Sequence, residues 1–288
     1  MAKTIMVQGT ASGVGKTILS TALCRIFTQD GYKTAPFKAQ NMTSVCHMTH
    51  DGRKMARSQA VAAYACNTEP DPDMNPVLLM MGKAGTNVVI RGGSVGLMDH
   101  HEYNEYKKRA FEQVLDAFNR LSNSQDVVVI EGAGSPVELN LNKDDIVNMG
   151  VAKAVNAPVI LVSDINRGGV FASLYGTVAL LPEDERRLVK GLVINKFKGD
   201  TAHFKDGAVM LENLCGMAVL GIIPFFDVGL EDEDSLTDDG MKTKESLESR
   251  LDGAGYFEYM QSEFDRIAGL VRANLNVGKL YEILNGDI

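Results

Sequence analysis

The sequence predicts an α/β fold: a mostly parallel, doubly wound sheet with a helical C-terminal tail. Three observations predict it. Short apolar runs alternate with stretches of helical spacing as far as Pro224, which implies crossover connections and a parallel sheet covered on both faces. One run, Val127-Val128-Val129-Ile130, is apolar at four successive positions, as a strand buried on both sides requires. Polar and glycine-bearing residues follow the runs at their carboxyl ends, the edge at which parallel sheets bind ligands.

The first run, Ile5-Met6-Val7, leads into Gly9, Thr10, Ala11, Ser12, Gly13, Val14, Gly15, Lys16 and Thr17, and Ile18 to Phe27 has helical spacing. Strand, glycine-rich turn, lysine, hydroxyl residue and helix in that order describe the phosphate cradle of a P-loop protein. Backbone N–H groups from Thr10 to Thr17 and the helix dipole would hold nucleotide phosphates. Lys16 supplies a mobile charge for the β/γ-phosphates, and the Thr17 hydroxyl is a ligand for Mg²⁺. Thr10 stands where the usual spacing has glycine, and Ala11 where plasmid-partition ATPases carry a second lysine.

Thr34 to Phe37 reads as a short strand ending at Lys38-Ala39-Gln40-Asn41, which lies either beside the phosphate loop or in a solvated loop. His47 and His50 have metal-like spacing without a third ligand and read as surface residues. Asp51 is a candidate for the magnesium shell. Arg53, Lys54 and Arg57 form a basic cluster, a solvated helix face or a contact for an acidic substrate. After a proline-punctuated loop at 69–76, strand-like runs occur at 78–81 and 88–90. A helix is then expected from about His101 to Leu121, with Tyr106, Ala110, Val114, Ala117, Phe118 and Leu121 as its apolar stripe.

Glu131 emerges at the end of the Val127 run, followed by Gly132-Ala133-Gly134, and in a P-loop protein a carboxylate there serves the metal. Asn140 to Met149 opens another helix, whose acidic residues are caps or dipole partners. Strand Pro158–Val162 ends in Ser163-Asp164-Ile165-Asn166-Arg167-Gly168-Gly169, and strand Val189–Ile194 ends in Asn195, an amide suited to purine nitrogens. Val219 to Ile223 is the last strand.

The 288 residues carry a net charge of −8, which opposes general binding to nucleic acid. No apolar run approaches the roughly 20 residues that span a bilayer. Cys24, Cys46, Cys66 and Cys215 show neither metal spacing nor a paired framework, and a reduced, cytoplasmic setting is expected. Three regions follow: a P-loop domain over 1–226, an acidic linker over 227–255 and a helical tail over 256–288. The tail's apolar face docks either on its own domain or on a partner subunit of a homodimer.

Several segments together resemble one family: residues 8–17, Pro36 to Met42, Glu131-Gly132-Ala133-Gly134-Ser135-Pro136, Asp145-Ile146-Val147-Asn148-Met149-Gly150, Asp164 to Gly176 and Asn195-Lys196-Phe197. They resemble cobyric acid synthase, whose nucleotide domain is similar to dethiobiotin synthetase. The resemblance implies ATP-dependent amidation of carboxylates on adenosylcobyrinic acid a,c-diamide, a corrinoid, through an acyl phosphate. It implies Thr17, Asp51 and Glu131 as Mg²⁺ ligands, Lys16 and Lys38 as catalytic cations, and Asn195 as the adenine reader. It implies Asp145 as a residue orienting the substrate, with Gln40, Asn41, Ser135, Asp164, Arg167, Gly168 and Gly169 along the corrinoid site. No cysteine follows Cys215 and no histidine follows His203, so the family's glutaminase motif is missing and ammonia is expected free or from a separate glutaminase. A dethiobiotin-synthetase-like ligase for another carboxylate or carbamate, and a non-catalytic nucleotide or corrinoid binder, are the alternatives.

Overall fold

The computed structural model describes residues 1–82, 85–140, 144–230 and 253–288. Its central sheet joins β1 (Lys3–Gly9), β2 (Thr34–Phe37), β9 (Val127–Glu131), β10 (Val159–Asp164), β11 (Val189–Phe197) and β12 (Val219–Pro224). The strand order is β12-β11-β10-β1-β9-β2 and every pairing is parallel. The carboxyl ends of all six strands therefore face one way, which gathers the polar edges of the sequence on one rim.

Alternation within the strands divides the core. Met6, Phe37, Val128, Ile130, Leu161 and Leu192 point to one face and meet the buried stripe of α3 (His100–Ser124), namely Ala110, Val114, Ala117, Phe118 and Leu121. The same face is covered by α4 (Met149–Ala154), α5 (Val170–Leu180) and α7 (Lys205–Cys215). Ile5, Val7, Val127, Val129, Ile160 and Val193 point to the other, against α1 (Lys16–Gln29) and α2 (Arg57–Ala65). A short α6 (Glu183–Arg186) precedes β11.

The C-terminal tail lies on this second face. Met260, Phe264, Ile267, Ala268 and Val271 of α8 (Gly253–Asn274) share a core with Leu19, Leu23 and Ile26 of α1, as do Leu280, Ile283 and Leu284 of α9 (Val277–Asn285). Arg25 of α1 donates to Asp265 at 2.7 Å and to Gln261 at 2.9 Å, and Arg272 pairs with Asp30 at 2.8 Å. The tail thus docks on its own domain.

A second sheet departs from the expected pattern. β3 (Gln40–Thr43), β6 (Val77–Gly82), β7 (Gly85–Ile90) and β8 (Gly93–Met98) form a four-stranded sheet in the order β3-β6-β7-β8. β3 pairs parallel to β6, and β7 runs antiparallel to both neighbours. β4 (His47–Met48) and β5 (Lys54–Met55) make a small hairpin beside it. The helix expected from Asn140 starts only at Met149, because Asp145 turns the chain just before it. Most of the expected linker, residues 231–252, lies outside the described residues, but 227–230 pack against α8 rather than forming linker. Among the described residues no helix is long and apolar enough to cross a membrane.

Candidate nucleotide and substrate site

The turn between β1 and α1 is shaped by its neighbours. Gly15 has φ +101°, and a β-carbon there would lie 2.1 Å from the amide nitrogen of Asn195, so only glycine fits. That Asn195 nitrogen donates to the carbonyl of Val14 at 2.8 Å, while its oxygen accepts from the Lys196 backbone at 2.9 Å. Asn195 braces the turn from the end of β11. Lys196, at φ +61°, donates from Nζ to the Gly13 carbonyl at 2.6 Å and pairs with buried Asp164 at 3.3 Å. Thr10 and Ser163 join their hydroxyls at 2.9 Å, tying the turn to β10.

Glu131 is where the strands converge. Its side chain is buried at the end of β9, beside β1 and β2. Thr17 donates to Glu131 Oε1 at 2.8 Å, and Lys38 Nζ reaches the same oxygen at 2.9 Å. Lys38 is itself buried, so the pair sits in a medium where its attraction is strong and its desolvation costly. Gln59 of α2 donates to Oε2 at 3.4 Å. Lys16 Nζ donates to the carbonyls of Ala11 at 2.9 Å and Gly134 at 3.0 Å, so the phosphate-loop lysine also holds the turn after β9.

A cavity of about 690 Å³ opens beside this cluster. Ser12, Gly13 and Lys16 line it on the loop side, with Lys38, Gln40 and Asn41 on a second wall and Ser135 and Asp145 on a third. Asn41 is buried there with its amide nitrogen unpartnered. Gln40 accepts from the hydroxyl of Tyr103, whose own ionisation is pushed up by burial. Asp145 spends its carboxylate on backbone, accepting from the amides of Val147, Asn148 and Gly150 at 2.8 to 2.9 Å. Asn148, thus placed, donates to the carbonyls of Ala133 at 2.6 Å and Ser135 at 3.2 Å. A chain of contacts runs from Asp145 through Asn148 to the loop that Lys16 grips.

Two smaller clefts flank the other side of the turn. One, of about 220 Å³, is lined by Lys16, Thr17, Thr21, Ser58, Lys196 and Val228. The other, of about 70 Å³, is apolar, with Pro224, Phe225, Phe226 and Val271 around Gly15 and Asn195.

Other expected residues fall elsewhere. Asp51 is exposed in the β4–β5 turn, where Thr49 at 2.5 Å and Arg53 at 2.6 Å hold its carboxylate below the usual range, and it lines none of these cavities. Arg167 is exposed, and Gly168 and Gly169 turn the chain into α5; none of them lines the large cavity. Asp164 points to Lys196 instead. Sequence spacing gives Asn148, Lys196 and Gln59 no individual role. Asn148 and Lys196 lie inside the quoted motifs, but nothing in local spacing marks a lysine for a left-handed backbone.

Fold and loop define a P-loop α/β protein that binds nucleotide phosphates. Residues 5–234 match the profile of the CobQ/CobB/MinD/ParA nucleotide binding domain family, and the chain belongs to it. It is 51% identical over 239 residues to cobyric acid synthase of Ruminiclostridium cellulolyticum, covering 83% of this chain and 46% of that protein. It is 52% identical over 237 residues to cobyric acid synthase of Clostridium novyi, covering 82% and 47%. The chain spans about half the length of the curated relatives it matches. Among solved structures, MinD of Aquifex aeolicus superposes with a TM-score of 0.42 at 13% identity, covering 78% of this chain and 83% of that one.

Proposed function

We propose that this chain uses ATP to activate carboxylates of a corrinoid, adenosylcobyrinic acid a,c-diamide, for amidation. The observation that carries the reading is the 690 Å³ cavity, which places the phosphate loop and buried Lys38 on the same wall system as Gln40, Asn41 and Ser135. High identity to proteins named cobyric acid synthase supports the choice of substrate.

In this reading a substrate carboxylate oxygen attacks the γ-phosphorus, the bond to the β-phosphate oxygen breaks, and ADP leaves. Ammonia then attacks the acyl carbon, loses a proton to solvent and expels phosphate. Lys16 turns from the Ala11 and Gly134 carbonyls to the β/γ-phosphates, where fixed positive charge stabilises the transferred group. Lys38 holds the incoming carboxylate while its pairing with Glu131 fixes its position. Asp145 acts through the backbone amides it binds, shaping the wall over which the corrinoid lies.

The oxygens of Thr17 and buried Glu131, 2.8 Å apart at the turn, suit a hard cation, so these two residues would hold Mg²⁺. When bound, it would neutralise charge on the transferring phosphates. Asp51 would need to leave Thr49 and Arg53 to join them. Ammonia is the nucleophile this reading requires. The test is incubation with the a,c-diamide, Mg-ATP and ammonium, read by mass spectrometry. Products in which carboxyl OH is replaced by NH₂ are expected, and ATP turnover without any such product would overturn the substrate assignment.

A further inference from the structure

We propose that α8 is a working part of the nucleotide site: Tyr259, Glu263 and Arg266 are positioning residues that hold residues 227–229 as a strap along the clefts beside the phosphate loop. The inference rests on reading those clefts as the ATP site. Val228 lines both the 220 Å³ and the 70 Å³ clefts, facing Lys16 and Thr17 in one and Asn195 in the other. The strap has no regular structure of its own to fix that side chain. Its position comes from the helix. The Gly229 amide donates to Glu263 Oε1 at 2.5 Å, and the Tyr259 hydroxyl donates to the Gly229 carbonyl at 3.0 Å. Arg266 donates to the Asp227 carbonyl at 2.7 Å and clamps Glu263 at 2.6 and 2.7 Å. Its guanidinium also lies 5.7 Å from the ring centre of Phe226, which lines the apolar slot.

Glu263 is buried and accepts from the Gly229 amide as well as from Arg266, so a shift of the strap costs it one hydrogen bond. Gly229 lets the strap sit this close to the two side chains. A β-carbon there would stand 2.2 Å from the Tyr259 hydroxyl and 2.9 Å from Glu263 Oε1. Tyr259, Glu263 and Arg266 themselves line neither cleft and reach them by way of the strap, whereas Val271 of the same helix lines the smaller one directly. Because Val228, the strap residue that lines the clefts, has no polar side-chain atom to offer a phosphate, it acts on the base and sugar and not on the phosphates. This ties nucleotide affinity to a helix more than 200 residues away in sequence from the loop it serves.

The experiment is calorimetric titration of the full chain with a non-hydrolysable Mg-ATP analogue and with inorganic triphosphate, using Gly229→Ala, Tyr259→Phe and, as a loop control, Lys16→Ala. Loss of one or two strap contacts is expected to weaken the analogue about five- to tenfold while leaving triphosphate binding unchanged. KM for ATP should rise with kcat retained, and thermal melting should show both variants folded. Unchanged analogue affinity in both strap variants overturns the inference, as does equal weakening of analogue and triphosphate. Wild type that binds no analogue, or a Lys16→Ala chain that binds it as well as wild type, overturns the ATP reading itself, which separates the two failures.

Discussion

Glu131 receives side chains from three separate stretches, Thr17, Lys38 and Gln59, on a single buried carboxylate. Removing its charge would take from buried Lys38 the negative charge 2.9 Å away and leave Thr17 only a neutral amide oxygen to donate to. Glu131→Gln should therefore lower kcat at least about 100-fold, read by steady-state ADP release. A variant with near-normal turnover would remove Glu131 from the chemistry. At this scale the sequence was partly legible. A strand end followed by glycines marks Glu131, and Lys38 follows another strand, so parallel pairing brings them together. Asp51 takes its direction from local partners in its turn, here Thr49 and Arg53, which spacing does not reveal. Asn148 and Lys196 were illegible for the opposite reason: their value lies in contacts with backbone carbonyls 15 and 183 positions away.

Among the elements, α8 carries the largest burden for its place in sequence. Phe264 is 1% exposed against α1, whereas Phe257 on the same helix is 54% exposed. Phe264→Ala should cost about 3–5 kcal/mol in denaturant unfolding, and Phe257→Ala no more than about 0.5 kcal/mol. Similar losses would contradict this docking. The Arg25–Asp265 pair adds a pH signature. The hydrogen bond from Arg25 lowers the Asp265 carboxyl, and Gln29 adds to it against a smaller opposing effect of burial. A lowered folded value means the contribution is complete above the ordinary aspartate value of about 3.9 and is lost as pH falls through the lowered one. Asp265→Asn should lower the melting temperature at pH 6, and its deficit against wild type should shrink below about pH 4. A deficit that persists unchanged in acid would assign the effect to packing. The amphipathic stripe of α8 was readable from its spacing, but not the surface it covers, since α1 and a partner subunit offer the same chemistry to an apolar face.

For the whole molecule, the parallel sheet was legible because strands buried on both faces read as unbroken apolar runs, as at 127–130. The second sheet was not. Its strand β3 is Gln-Asn-Met-Thr, and β8 carries two glycines with mostly exposed side chains, so neither shows the apolar run of a buried strand. Yet this sheet carries Gln40 and Asn41 to the wall of the large cavity. The molecule is thus a phosphate loop on a parallel rim, a strap braced by α8 on one side and a broad cavity on the other. The measurement that bears most directly on its function is the mass of the corrinoid after incubation with Mg-ATP and ammonium. Amide-bearing products that form with wild type and disappear with Lys38→Met are predicted. An a,c-diamide that stays unmodified while ATP and ammonium are supplied, with or without an added glutaminase, would contradict the proposal.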